Sequence, residues 1–75
     1  MSENMLEKLI DQTKQNWSKT KETEPSGINY HQLIKIARQN VELIESNENL
    51  SPVVKEKMLN FKREQIKFWE SKINE

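Results

Sequence analysis

The residue types that could carry out chemistry are few in this sequence and lie far apart. His31 is the only histidine, and the chain has no cysteine. A thiolate metal site and a cysteine nucleophile are therefore excluded. His31 would need further metal ligands, or an orienting acid and an activated nucleophile, and the spacing of the sequence provides neither. We interpret His31 as an exposed residue in the first turn of a helix, and we expect no bound metal or cofactor.

A second candidate for chemistry is the acidic group formed by Glu42, Glu45 and Glu48. Carboxylates at this spacing can act in acid and base catalysis, but on a helix they more often form a solvated face that pairs with lysine. Gly27 is the only glycine in the chain, so a glycine-rich phosphate-binding loop cannot form. We therefore expect that the protein is not an enzyme.

The length and charge of the chain limit the number of domains and the classes of protein that remain possible. Its 75 residues contain 12 basic and 12 acidic side chains and carry no net charge. This length allows one small domain, and the balanced charge argues against a protein whose main task is to coat nucleic acid. The apolar runs are pairs such as Leu9 and Ile10, far shorter than the ~20 residues that cross a bilayer. Together with the lack of a signal-peptide pattern, this leads us to expect a cytoplasmic protein.

The positions of proline, glycine and capping residues predict an all-α fold, a small antiparallel three-helix bundle. The single domain spans 1–75, with helices near 3–21, 29–46 and 52–74 and a linker over 22–28. Helix starts are signalled by Ser2, by Asn29 and by Ser51, which is followed by proline at the first helical position. We expect helix one to be held less firmly than the hairpin of helices two and three.

Apolar spacing predicts how helices two and three face each other. A short loop makes them antiparallel neighbours. The predicted layers are Ile44 with Met58, Val41 with Phe61, Ala37 with Gln65, and Ile34 with Phe68. The same register predicts that Glu45 and Glu48 lie beside Lys55 and Lys57, and that Lys35 and Arg38 lie beside Glu64 and Glu70. Such exposed ion pairs select a register more than they stabilise it.

A second apolar row on helix three predicts where helix one packs. This row comprises Leu59, Ile66, Trp69 and Ile73, and the matching row on helix one comprises Leu6, Ile10, Thr13 and Trp17. With helix one antiparallel to helix two, Trp17 is expected near Tyr30 and Trp69, and Leu6 near Leu43 and Leu59.

Helix two carries more apolar surface than one short helix can cover. Leu33, Ile36 and Leu43 form this surplus, and Trp17 and Trp69 are large side chains that could anchor a partner. We therefore predict a small protein-interaction module, a regulator, inhibitor or assembly adaptor, that presents an apolar helix surface. Its partner is another protein or a second copy of the chain. We expect a homodimer, and a monomeric bundle that awaits a different protein is the competing outcome.

The alternative hypothesis is a small nucleic-acid-binding regulator that uses the basic residues of helix three. Lys57, Arg63 and Lys67 are the candidate phosphate contacts. Glu56 and Glu64 interrupt this surface, whereas a helix that tracks phosphates normally has a cleaner basic face.

Overall fold

The structure, a computed structural model, describes residues 3–23 and 27–74, and these fold into three helices. Helix α1 spans Glu3–Thr20 and is followed by a 3-10 turn at Lys21–Thr23; α2 spans Tyr30–Ser46 and α3 spans Pro52–Ile73. The described residues contain no strand. The predicted all-α three-helix bundle is confirmed. The predicted cap Ser2 and the centre of the linker, 24–26, lie outside the described residues.

Side-chain caps fix the starts of α2 and α3. The backbone N–H of Gln32 donates to Asn29 Oδ1 over 3.2 Å, and the N–H of Val54 donates to Ser51 Oγ over 3.2 Å. Each bond satisfies one of the N–H groups that a helix N-terminus leaves without an intrahelical partner. Pro52, which has no N–H, stands at the first helical position as predicted. Both predicted caps are therefore confirmed.

One turn and one glycine stand at the described helix boundaries. Between α2 and α3 the N–H of Asn49 donates to Asn47 Oδ1 over 2.9 Å, which is an Asx turn. Gly27, just before α2, has a φ of +87°, a backbone conformation that glycine adopts without steric cost. The short α2–α3 turn is what makes these two helices antiparallel neighbours.

The core lies mainly between α2 and α3. Ile34 and Ala37 of α2 pack with Trp69 of α3 in a buried cluster. The buried side chains along the two helices are Ile34, Ala37 and Ile44 from α2 and Val54, Phe61, Gln65 and Trp69 from α3. Burial of these apolar side chains is the main stabilising contribution in the domain.

Helix α1 packs along α3 and runs in the same direction. Lys57 Nζ lies 3.2 Å from Asp11 Oδ1, and further along both helices Lys14 Nζ lies 3.3 Å from Glu64 Oε2. Because α3 runs antiparallel to α2, α1 is also antiparallel to α2, as predicted. Within the described residues, however, the backbone of α1 comes close to α3 and not to α2. The bundle is open on one side.

The face of α3 that each neighbour contacts differs from the prediction. The Trp17 ring of α1 packs edge-on against Phe61 and Phe68, at centroid distances of 5.9 and 5.5 Å. Trp69 and Ile66 instead pack with the Ile34 cluster of α2, which Phe68 also borders. The prediction that α1 covers the row containing Trp69 was therefore wrong. The large Trp17 ring fits between two aromatic rings spaced two helical turns apart.

Some ion pairs agree with the predicted register and others do not. Arg38 and Glu70 lie 3.8 Å apart, as the predicted register requires. Lys55 contacts the backbone oxygen of Glu45 over 3.3 Å rather than its carboxylate. Two predicted partners were wrong: Lys57 pairs with Asp11 and Glu64 pairs with Lys14, both on α1. Lys57 and Glu64, which the sequence pattern paired with α2, thus pair with α1 instead.

Candidate protein-binding site

An apolar groove runs between α1 and the first half of α3. We call it the groove; its volume is about 320 Å³, and it is lined by Leu6, Leu9, Ile10, Thr13, Leu50, Val54, Met58, Phe61 and Lys62. Lys62 is its only charged residue, and the Lys62 ammonium lies 5.7 Å from the centre of the Phe61 ring. A concave surface with this lining suits an apolar side chain or the apolar face of a helix.

Charged side chains lie on the outer flanks of the helices, away from the groove. On α1, Asp11 and Lys14 form ion pairs with charged residues on the outer side of α3. On α2, Arg38 and Glu45 do the same on the other side, where Glu45 lies 3.8 Å from Arg63. Helical periodicity then places the opposite flank of each helix, its inner flank, away from these ion pairs. The inner flank of α1 contributes to the groove, whereas α2 contributes no lining residue.

These inner flanks carry no charge, although 32% of the chain is charged. On α1 the flank comprises Met5, Leu6, Leu9, Thr13 and Asn16, and on α2 it comprises Leu33, Ile36, Asn40 and Leu43. Several of these side chains are largely exposed: Met5 is 54% exposed, Leu9 52% and Leu43 66%. An uncharged surface with exposed apolar side chains is typical of a protein-binding site.

The four residues on the inner flank of α2 form what we call the second seam: Leu33, Ile36, Asn40 and Leu43. Their spacing of three, four and three residues is that of a helix-packing seam. The first seam of α2, which includes Ile34 and Ala37, is buried against α3. Within the second seam, Leu33 packs at the edge of the α2–α3 cluster, whereas Ile36 and Leu43 are exposed.

Three polar atoms are buried beside the groove without a hydrogen-bond partner among the described residues. They are the indole nitrogens of Trp17 and Trp69 and the side-chain oxygen of Gln65. Gln65 lies one helical turn from both Phe61 and Trp69 on the buried side of α3. A buried polar atom without a partner costs about 1 to 3 kcal/mol. Each of these atoms therefore lowers the free energy of unfolding.

We expect Gln65→Leu to raise the free energy of unfolding by about 1 to 2 kcal/mol. Leucine has a similar volume and removes a buried polar oxygen that has no partner among the described residues. Urea denaturation followed by circular dichroism measures the change. A loss of more than about 1 kcal/mol would show that the Gln65 amide makes a stabilising interaction in solution. Gln39→Leu, at an exposed position of α2, is the control.

The structure separates the five predicted partner-binding residues into exposed and packed positions. Ile36 is 44% exposed and Leu43 66% exposed, so both are accessible on the inner flank of α2. Leu33 is half-buried against the α2–α3 cluster. Trp17 is half-buried between Phe61 and Phe68, and Trp69 is 8% exposed within the core. Both tryptophans hold helices together within the chain.

The three candidate nucleic-acid contacts are not brought together. Lys57 pairs with Asp11 on the α1 side of α3, and Arg63 pairs with Glu45 on the α2 side. Lys67 shares a shallow depression of α3 with Arg63 and two acidic residues. Two of the three positive charges are thus offset by an acidic partner.

His31 and Glu42 border a polar cleft on the outer flank of α2 and α3, with a volume of about 460 Å³. The cleft also contains Lys35, Arg38 and Glu70. Among the residues that the structure describes, no group of histidine, aspartate and glutamate side chains could hold a metal ion.

Sequence reasoning did not identify Met5, Leu9 and Asn40 as part of the site. For Asn40 the signal was available, because its spacing from Ile36 and Leu43 continues the second seam. Met5 and Leu9 lie beside the α1 row of Leu6, Ile10, Thr13 and Trp17 that was matched to α3, and periodicity does not indicate which side of that row stays exposed. Their exposure follows from the open arrangement of α1 and α2.

Comparison of the chain with known protein families, curated proteins and solved structures found no match. In the described part of the chain, none of the helices has the length and hydropathy needed to span a membrane.

Proposed function

We propose that this protein is a small, non-enzymatic protein-interaction module of the cytoplasm, a regulator, inhibitor or assembly adaptor. Its binding surface is the groove together with the inner flanks of α1 and α2. It accepts an apolar helix, either from another protein or from a second copy of the chain. The single observation that carries the proposal is a partly exposed apolar surface whose only charged lining residue is Lys62, in a chain of which 32% of the residues are charged.

The arrangement of the helices supports a helix as the bound element. Helices α1 and α2 both pack on α3, but their backbones do not approach each other. This is the arrangement of three helices of a four-helix bundle in which the position diagonal to the central helix is empty. A fourth helix there would contact both inner flanks and cover the groove.

The exposed apolar residues of the inner flanks support the same conclusion. Leu9 lies on the flank of α1 and Ile36 and Leu43 on the flank of α2, each more than two-fifths exposed. A helix that lies between them would remove these side chains from water, which stabilises the complex by about 25 cal/mol for each Å² of apolar surface buried. Apolar contacts of this kind depend little on salt, unlike contacts to phosphate.

The test replaces an exposed apolar residue at the site with glutamate. Ile36→Glu should abolish binding, whether to a second copy or to another protein, because it places a charge in an apolar interface. Helicity should be retained, since Ile36 is 44% exposed. The measurements are molar mass by light scattering at tens of micromolar and quantitative capture of proteins from a lysate of the source cells.

Val53→Glu is the matched control. Val53 is 51% exposed, comparable to Ile36, but it lies in the first turn of α3 and belongs neither to the groove nor to the inner flanks of α1 and α2. Binding that survives Val53→Glu and is lost in both Ile36→Glu and Leu9→Glu would support the proposal. Binding that all three variants retain would contradict it. A monomer that unfolds on Ile36→Glu would show that Ile36 belongs to the intramolecular core.

A further inference from the structure

We infer that the groove is occupied by α2 of a second copy of this chain, and that the two α2 helices pair in parallel with Asn40 facing Asn40. This inference rests on the proposed function, because it names the partner of the same site. It is carried by the second seam of α2, by the symmetry that the groove imposes and by the dimensions of the exposed face.

The second seam has the composition of a self-pairing helix. Leu33, Ile36 and Leu43 supply apolar positions at alternating spacings of three and four residues, and Asn40 occupies one position between them. A single asparagine in an otherwise apolar seam specifies the register of paired helices, because its amide can hydrogen-bond with the same amide of a partner helix. Asn40 is half-buried on α2. In the dimer it would lie at the centre of the α2 pair.

The position of the groove determines the direction of the pairing. A helix that covers the groove and also contacts the inner flank of α2 lies between α1 and α2, diagonal to α3. If that helix is α2 of a second, equivalent copy, a two-fold axis across the helices would place the second α3 where the first α1 already lies. An axis that runs along the helices avoids this clash, and it keeps the two α2 helices parallel.

The same axis brings exposed apolar residues of the two copies together. Asp11 pairs with Lys57, and Lys55 contacts Glu45, so Leu9 of α1 lies at about the same height along the bundle as Leu43 of α2. A two-fold axis along the helices preserves height. Leu9 of one copy therefore meets Leu43 of the other, and these side chains are 52% and 66% exposed in the single chain.

The size of the face is sufficient for a stable dimer. The molecule measures 39 × 24 × 14 Å, and in the inferred dimer the two copies meet through the 39 × 24 Å face. A face of this extent matches the roughly 800 Å² for each partner that specific protein interfaces bury. Two such molecules would form two layers of helices with one shared core, the usual arrangement of a stable domain.

The experiment uses the absence of cysteine from the chain. In an Asn40→Cys variant the two sulfurs face each other across the axis, within the short range over which a disulfide forms. We expect mild oxidation at low micromolar concentration to convert nearly all of this variant to a covalent dimer. The unmodified chain should have twice the 9.0 kDa mass of one chain in light scattering.

Gln39→Cys is the control, because Gln39 neighbours Asn40 but is exposed on the outer flank of α2. It should cross-link at least tenfold more slowly. Equal cross-linking of both variants, or a dimer that the Asn40→Cys variant does not lock, would overturn the parallel pairing. A monomeric unmodified chain would overturn the inference as a whole. Groove-dependent capture of a different protein, lost in Ile36→Glu and kept in Val53→Glu, would then still support the proposed function.

Discussion

Phe61→Ala is expected to lower the free energy of unfolding by roughly 3 to 5 kcal/mol, enough to unfold much of a domain of this size. Phe61 is 6% exposed and packs edge-on against Trp17 at 5.9 Å. Its removal leaves a cavity in the middle of α3 and deprives α1 of one of its two aromatic contacts. Thermal and urea denaturation followed by circular dichroism measure the loss.

The matched control for this variant is Val53→Ala on the same helix. Val53 is 51% exposed, so its truncation should change stability by less than about 0.5 kcal/mol. If Phe61→Ala left the thermal midpoint unchanged, Phe61 would not lie in the core and the packing of α1 on α3 described above would be incorrect.

Trp17→Ala is expected to release α1 from α3 while the α2–α3 hairpin keeps its fold. Truncation of a packed tryptophan costs on the order of 3 kcal/mol, and Trp17 provides the only aromatic ring of α1. The ring lies 5.5 Å from Phe68, and the ammonium of Lys21 lies 4.9 Å from its centre. Because the backbone of α1 approaches only α3 in the described structure, no other helix of the same chain would retain it.

Amide hydrogen exchange resolved by helix measures this release. Amides of α1 should exchange at nearly the rate of an unfolded chain, whereas those of α2 near Ile34 and Ala37 should remain protected. Gln15→Ala, at an exposed position of α1 outside the groove and the inner flanks, should leave the exchange of α1 almost unchanged. Equal loss of protection in α1 and α2 would show that the three helices unfold as one unit.

The helices themselves could be predicted from local sequence. Asn29 and Ser51 cap the two helices that they were predicted to start, and proline follows Ser51 as the first helical residue. These signals involve residues within one turn of each other, so they act before any tertiary contact forms. The short turn at Asn47 then fixes the antiparallel hairpin.

The candidate site could be predicted only in part. Ile36 and Leu43 are exposed on α2, in agreement with the excess of apolar residues that the sequence shows on this helix. Trp17 and Trp69 were also candidates for partner binding, but they pack within the chain. A tryptophan has the same sequence signature in a core and in an interface, because both positions select a large apolar ring.

The amino-acid sequence by itself determined the number of helices, their ends and the direction of the hairpin, because capping bonds and short turns depend on neighbouring residues. Only the tertiary structure decided which side of α3 faces which helix. Apolar residues cover about half the circumference of α3, so periodicity allows more than one rotation of this helix. The choice depends on ring shape: Trp17 fits between Phe61 and Phe68, and this turns Trp69 toward α2. The open groove between α1 and α3 follows from that rotation.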